Sequence, residues 1–480
     1  MKSKVVILNP PSSDASYINR DLMGGMGVHV KFGKNFFAKM LSKLKANYVR
    51  IPVMQLVYAA SILEKEGCSV LVIDAPNEDK KLDYVLKRIQ EFGPEYVVMA
   101  VSSSCIIFER DAVAAGIKEM LPQTKIFVVG DMITEMPELL LPHFDVGIIG
   151  ELEHCIGELC DGKDPELISG LLVNKGTEVK KTENKLRLSA KEQDELPFPA
   201  WHLFPYKRYR YYPMVGVDPV ATIQASRGCP YGCGYCPYTK NQGRPWRARS
   251  AKSIFQEMER NVQKYGFRGF FFRDPLFTTD KQRVEKLCSL LIKSDLNVQF
   301  AFETRPELLT KELIDLLSKA GCSAINFGVE DINPEILKKI SRKPVDGPLI
   351  LDVITYCEDK GIRTSCFFIL GLPGATKKTT EENIMFSKKL FASQIEYKVA
   401  TPYPGTDLYH MAKENKWLLS ESLDMLTGYT SSMQVSPELP PEYLEEKADK
   451  AFKEFYFHPK YILREIMRGR VWKNIYFALK

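Results

Sequence analysis

The sequence predicts an α/β protein: an N-terminal doubly wound, Rossmann-like open sheet, then a partial (β/α)6 barrel, then a mainly helical C-terminal region. Three observations carry this. Short apolar runs alternate with helix-like stretches over residues 4–160 and again over 220–400, the pattern of parallel strands covered on both faces. Small and polar residues close nearly every run, at the pole where such sheets and barrels bind ligands. The bulk composition, 45% hydrophobic and 26% charged over 480 residues, is that of an ordinary globular chain. Its length suits roughly three domains of about 150 residues.

The first run, KVVILNPP, is stopped by Asn9-Pro10-Pro11 and reads as a buried strand with its exit loop. SVLVIDAP, YVVMAVSSS, KIFVVGD and DVGIIGELE follow, separated by PVMQLVYAASILEKEG and by a helix expected from about Phe108. Their ends are Asp74-Ala75-Pro76, Ser102-Ser103-Ser104, Gly130-Asp131 and Gly150-Glu151. Four such ends at one pole favour a large cofactor or partner. No G-x-G-x-x-G is present, so a nicotinamide cofactor has no specific support. The segment Asp14–Arg50 is long for a connection and reads equally as a lid or an added surface helix.

From Asp161 to Asp194 the chain is charged and irregular, apart from a small hairpin expected in ISGLLVNKGTEVKK. LPFPAWHLFPY is too apolar for a free linker and is expected to pack between two domains. Beyond it come six strand-like runs, ATIQASRG, GFRGFFFRD, NVQFAFETR, CSAINFGVE, RTSCFFILGLPG and QIEYKVATPYPG, with helices between them. The helix in TTEENIMFSKKL is expected to be capped by Thr379 or Thr380 ahead of Glu382. The expected division is 1–180, a connection 181–215, a barrel 216–410 and an extension 411–480.

Several classes are disfavoured. The net charge of +6 is mild, and no nucleic-acid module accompanies it. Eleven cysteines lack the spacing of a disulfide scaffold. The start MKSKVVILNPP lacks the apolar stretch of a signal peptide, and nowhere do about 18 apolar residues run together. A reducing cytoplasm is the expected setting.

SRGCPYGCGYC places Cys229, Cys233 and Cys236 in a Gly-rich loop after the first barrel strand. Read alone, the trio allows zinc, a redox dithiol or an iron–sulfur cluster. Structural zinc is closed by four ligands, and no fourth Cys or His lies nearby. Thiolates are the ligands of iron–sulfur clusters, and three of them on a four-iron cluster leave one iron open.

CPYGCGYC resembles the C-x-x-x-C-x-x-C signature of the radical S-adenosylmethionine (SAM) enzymes, with the aromatic Tyr235 before the third cysteine. The resemblance implies a [4Fe-4S] cluster on Cys229, Cys233 and Cys236, SAM on the open iron, and a 5′-deoxyadenosyl radical. It also implies a reductase or a flavodoxin or ferredoxin as electron donor. FFRDPLFTTD, ETR and GVE resemble the SAM-contacting strand ends, which assigns Asp274, Glu303, Arg305 and Glu330 to SAM; GLPG at Gly371 resembles the loop over adenine. Arg247 and Arg249 in RPWRARS fix the cluster loop or face anionic groups. TPYPGT, Thr401–Thr406, reads as a rigid turn.

The order of the two sheets, with GELE at the fifth strand and LPFPAW in the connection, resembles the cobalamin-binding subclass of these enzymes. That implies cobalamin near Ser102, Ser103, Gly130, Asp131, Gly150 and Glu151. Two departures stand: D-x-H-x-x-G is absent, so no axial histidine is expected, and the usual Gly-Gly is Gly130-Asp131. A carboxylate there puts the fit of the corrin or its nucleotide tail in question.

The chemistry implied is methylation of an unactivated carbon. Alternatives are radical cyclisation, rearrangement or oxidation without net methyl transfer, and a non-enzymatic cobalamin or iron–sulfur sensor. Cys288 and Cys357 read as core residues, whereas Cys322 and Cys366 on strands could serve an auxiliary cluster if they faced the cavity. Residues 451–480 carry seven basic residues against two acidic ones, interleaved with aromatics. This reads either as a docked helix or as a peripheral membrane contact for a lipid-like rather than an ordinary small-molecule substrate.

Overall fold

The computed structural model describes residues 2–12, 18–20, 28–29, 48–184 and 187–470. Most of the long segment Asp14–Arg50 therefore lies outside the described residues. The first sheet has seven strands. Those in the first part of the chain are β1 (Lys4–Asn9), β2 (Ser69–Asp74), β3 (Tyr96–Ala100), β4 (Lys125–Val129) and β5 (Val146–Ile148). The hairpin β6 (Leu171–Asn174) and β7 (Val179–Lys181) completes the sheet. The order is β7-β6-β5-β4-β3-β1-β2. The first five strands run parallel, and the hairpin is added antiparallel at one edge. Near-continuous burial of Val5–Leu8, Val97–Ala100 and Ile126–Val129 explains the unbroken apolar runs. Helix α1 (Met54–Lys65) and α2 (Leu82–Phe92) connect the early strands. The helix expected from Phe108 starts at Ile106 and passes through a π-helical stretch, Glu109–Ala114. Glu109 is fully buried within that stretch.

The second sheet has six strands in simple sequence order. They are β8 (Val220–Ile223), β9 (Gly269–Phe272), β10 (Gln299–Thr304), β11 (Cys322–Glu330), β12 (Arg363–Leu370) and β13 (Gln394–Val399), all parallel. Between them run α3 (Ala251–Tyr265), α4 (Lys281–Lys293), α5 (Lys311–Lys319), α6 (Gly347–Asp359) and α7 (Lys377–Lys389). Ser250, Asp280 and Thr310 cap α3, α4 and α5 by accepting from backbone N–H three residues on. The cap of α7 is Thr376, in a reciprocal box with Thr379, rather than Thr379 or Thr380. The threonine run offered several caps, and the earliest one that could close a box prevailed.

The two sheets share one hydrophobic core. Trp201, fully buried, meets Phe204, Tyr209 and Phe267 edge-on at ring-centroid distances of 6.2, 6.0 and 5.5 Å. The core on both sides of it is continuous, from Val5 and Val57 to Phe270 and Phe300. Ser61 Oγ on α1 accepts from the Ala200 N–H at 2.9 Å.

After β13 the chain forms α8 (Asp407–Glu414), α9 (Pro441–Tyr456) and α10 (Pro459–Met467). An open barrel leaves β13 as an edge, and α9 covers it. Tyr456 Oη accepts from the Ile395 N–H at 3.1 Å and donates to its carbonyl at 3.2 Å. Three arginines here are turned inward, while Lys453 and Lys460 are exposed. Arg470 donates to Glu358 at 2.9 Å, Arg468 pairs with the same carboxylate, and Arg464 donates to the carbonyls of Phe391 and Ala392. The helices of 451–467 are docked through these arginines, with Phe457, Leu463 and Met467 left exposed; Lys473 and Lys480 lie outside the described residues. Cys322 and Cys366 are buried in the core beneath the helices, which removes the auxiliary-cluster reading.

Candidate active site

The cysteine loop is built by its glycines and neighbours. After β8, Ser226–Arg227 pairs antiparallel with Arg247–Ala248. Gly228 has φ +80°, and a Cβ there would collide with the Pro245 carbonyl. Gly234 donates to the Ile340 carbonyl at 2.8 Å and accepts from the Leu408 N–H at 2.8 Å. Cys229, Cys233 and Cys236 are half-buried, whereas the other eight cysteines are buried. A cavity of about 130 Å³ is lined by Cys233, Cys236, Lys240, Arg244 and Asp407. Among the described residues no three His, Cys, Asp or Glu converge on a single metal position. A four-iron cluster takes its thiolates at separate corners. Burial pushes the Cys229 and Cys236 thiols up, while Arg305 and Arg342 pull Cys229 back.

Three predicted residues gather beside the loop: Tyr235, Glu330 and Arg305. Tyr235 Oη donates to Glu330 Oε1 at 3.0 Å. Glu330 sits at φ 67°, and burial raises its carboxyl. Arg342, which the sequence did not single out, completes the group. It is buried, donates to Tyr235 Oη at 3.1 Å, and places Nη1 3.9 Å from Cys233 Sγ and 3.8 Å from Glu330. Arg305 pairs with Glu307 at 2.6 Å and lies 4.4 Å over the Tyr231 ring. Arg305 Nη1 and Arg342 Nε are buried without a hydrogen-bond partner among the described residues, as fits guanidinium groups facing an anionic ligand such as the SAM carboxylate. Gly371 (φ +81°) abuts Leu444 of α9, where a Cβ would lie 2.5 Å from Cδ1.

Asp274 does not meet the cofactor side. It is fully buried, accepting from the Ala225 N–H at 2.8 Å and Ser226 Oγ at 2.6 Å, with Arg283 3.8 Å away. Two donors at the end of β8 claim it, so it holds the root of the cluster loop. Glu303 is half-buried and pairs with Arg273 at 3.2 Å.

At the pole of the first sheet, Ser102 gives its N–H and Oγ to Glu109, at 2.9 and 3.1 Å. Arg20 bridges Glu109 (2.8 Å) to Asn9 (3.0 Å), and Asn9 donates to Asp74 (2.8 Å), which also accepts from Tyr209 Oη (2.7 Å). Ser102 is thus spent within the protein. Ser103 is buried, and Ser104 Oγ is buried without a partner among the described residues. A Cβ on Gly130 would lie 2.6 Å from the Val101 carbonyl, so the chain lies tight at this strand end. Asp131 opens a short helix, Asp131–Glu135. The orphaned serine and the close-lying glycine fit a cofactor laid on these ends. Gly150 accepts from Gln55 at 3.1 Å. Glu151 is a correction: it faces the barrel. It accepts from the Leu188 N–H (2.6 Å) and pairs with Arg247 (2.9 Å) and Arg227 (3.8 Å). Glu153 pairs with Arg227 at 2.5 Å. Arg249 is held by Glu257 at 2.5 Å. GELE therefore grips the root of the cysteine loop. TPYPGT is more than a turn, since Tyr403 is buried in the first sheet's second core and Gly405 abuts Glu135.

A thiol loop for an open cluster, fastened by ion pairs to the ligand pole of a doubly wound sheet, defines a radical-generating enzyme with a second cofactor domain. Residues 223–386 match the family model described as the radical SAM superfamily, and residues 47–159 match that of the B12 binding domain. The chain belongs to the radical SAM enzymes, in the subclass with a cobalamin-binding domain ahead of the barrel, and its cofactors are a [4Fe-4S] cluster, SAM and cobalamin. It is 28% identical over 422 residues to an uncharacterised methyltransferase of Pyrococcus horikoshii, covering 86% of this chain and 90% of that one. It is 26% identical over 409 residues to cytidylyl-2-hydroxyethylphosphonate methyltransferase of Streptomyces wedmorensis, covering 73% and 76%. Its fold resembles that of the radical SAM methyltransferase TsrM from Kitasatospora setae, solved with cobalamin and a [4Fe-4S] cluster bound. The TM-score is 0.66 at 18% identity, covering 86% of this chain and 80% of that one.

Proposed function

We propose that the protein methylates an unactivated carbon of a small molecule, with the cluster held by Cys229, Cys233 and Cys236. The observation that carries this is the ionic grip of Glu151 and Glu153 on Arg247 and Arg227. It sets the cysteine loop of one domain in fixed register with the strand ends of the other. Bound there, SAM on the cluster supplies a hydrogen-abstracting radical and cobalamin a transferable methyl group. The chain's own part is placement. Asp274 and Arg283 anchor the loop, Arg342 and Arg305 offer N–H donors to anionic groups, and Glu330 with Tyr235 orients Arg342. A reductase or a flavodoxin or ferredoxin supplies electrons. The arginines of 464–470 are internally paired, while Lys453, Lys460, Phe457, Leu463 and Met467 stay exposed, so the methylation reading rests on neither a lipid-like substrate nor a membrane contact. Among the described residues no helix is long and apolar enough to cross a membrane.

The test is an anaerobic reaction of the reconstituted enzyme with a reductant, small-molecule extract of the source cells and SAM carrying a trideuterated methyl group. Expected are 5′-deoxyadenosine and a product carrying the deuterated methyl. 5′-Deoxyadenosine with no labelled product would remove methyl transfer and leave radical chemistry without it.

A further inference from the structure

The inside of the barrel carries a polar layer that the cofactor contacts leave unused. On β10, β12 and β13 the residues under the helices are at most 5% exposed: Phe300, Phe302, Cys366, Phe368, Leu370, Ile395, Tyr397 and Val399. The residues alternating with them, Glu303, Phe367, Ile369, Glu396 and Lys398, are half-buried. By strand alternation they lie on the inner face of the barrel, and they keep part of their exposure there. Its floor is closed, since Tyr211 stacks on Phe271 with centroids 4.1 Å apart, over Val215, Val220, Ala301 and Ala324. Tyr211 Oη accepts from Asn326 Nδ2 at 2.7 Å, and Asn326 Oδ1 is buried without a partner among the described residues. Above the floor, Lys398 Nζ lies 3.3 Å from Glu396 Oε2 and 3.5 Å from the centroid of Tyr429. The two charged side chains keep 14% and 22% of their exposure. Glu303, Glu396 and Arg273 all lie near enough to bear on the Tyr211 hydroxyl, so the charges converge on one space.

We propose that Glu396, Lys398 and Tyr429, over the Asn326–Tyr211 floor, form the substrate subsite, and that it takes a polar, water-soluble molecule carrying charged or hydrogen-bonding groups. A hydrocarbon skeleton placed there would strip water from an ammonium and a carboxylate and return no hydrogen bond, which is costly for each group. A polar substrate replaces that water with bonds to the same atoms, and leaves Phe367 and Ile369 for its carbon frame.

Two measurements test this, and only the second rests on the methyl-transfer reading. The neutral apolar fluorophore N-phenyl-1-naphthylamine is titrated into the wild type and into a Glu396→Leu/Lys398→Met variant. Matching iron content and circular dichroism show that both are folded. The variant should bind about tenfold more tightly, a difference set by the removed charges; equal binding overturns the proposal. In the second measurement, SAM with a radiolabelled methyl group is used with source-cell extract, and the product is partitioned between water and chloroform. Label in the aqueous product is expected, and label in the chloroform phase overturns the proposal. Label in neither phase, with 5′-deoxyadenosine formed, refutes methyl transfer instead, and the fluorophore titration then decides the substrate class alone.

Discussion

Glu153→Gln tests whether the first domain holds the cluster loop. Glu153 and Arg227 are paired at 2.5 Å with side-chain exposures of 1% and 5%. Removing one partner of a buried pair costs roughly 3–5 kcal/mol, because the other charge is left uncompensated. Arg227 keeps Glu151 at 3.8 Å and the Tyr58 ring at 5.4 Å, which places the loss near the lower bound, about 3 kcal/mol. At about 2 °C per kcal/mol for a large cooperative unit, the midpoint should fall by about 6 °C. Arg227→Met should cost a similar amount, but the double variant little more than either, since no orphan charge remains. The assay is reversible unfolding of the four proteins in a double-mutant cycle, with iron per chain measured after reconstitution. The single variants should also hold less iron, because Arg227 lies two residues before Cys229. Losses that add within about 0.5 kcal/mol would refute the pairing as a coupled device, and full iron occupancy in both single variants would refute its hold on the loop.

Serine at Cys229, Cys233 or Cys236 should abolish the iron–sulfur absorbance of a protein that otherwise reconstitutes with about four irons; Cys288→Ser, in the core, should retain it. Arg342→Gln removes a cation 3.9 Å from Cys233 Sγ and should lower the cluster's midpoint potential in a reductive titration, an unchanged potential ruling out that influence. Burial raises Asp331 from 3.8 to about 6. The fold thus favours the protonated form, and this contribution is full below pH 3.8 and lost as pH rises through 6. Asp331→Asn keeps the acceptor for the Asn333 N–H and should be more stable than the wild type by up to about 3 kcal/mol at pH 8, with no gain near pH 4, in denaturant unfolding. Tyr456→Phe should cost about 1 kcal/mol and speed hydrogen exchange at Ile395; unchanged exchange would mean that the hydroxyl does not seal the edge of β13.

The strands were legible because parallel strands buried on both faces must be short, apolar and ended by turn chemistry. The cysteine loop was legible because its spacing and glycines are local. Partners were not. Arg227 and Glu153 are 74 residues apart, and nothing in GELE or SRGC says that one closes on the other. Asp274 carried the right chemistry at a strand end, but two donors at the preceding strand's exit occupy its carboxylate. Arg342 is one of two basic residues in SRKP, and only the fold shows it buried. For Arg468 and Arg470 the sequence could not choose between a docked helix and an open cationic face, because their carboxylate, Glu358, stands more than 100 residues upstream. Residue type and local periodicity survive in a sequence, whereas the identity of a distant counter-ion does not.

The common core around Trp201 governs how molecules come and go. Two modules with separate cores could part like a hinge and admit a large cofactor and a substrate by the same door. Here α1, the connection and the outer face of the barrel are packed as one body, and parting them would expose Trp201, Phe204 and Phe267 to water together. Traffic on the timescale of turnover therefore has to pass through loops at the strand-end poles, on the side away from that seam. On the proposed methyl transfer, SAM and the substrate would share that route, and the order in which they pass would become part of the catalytic cycle.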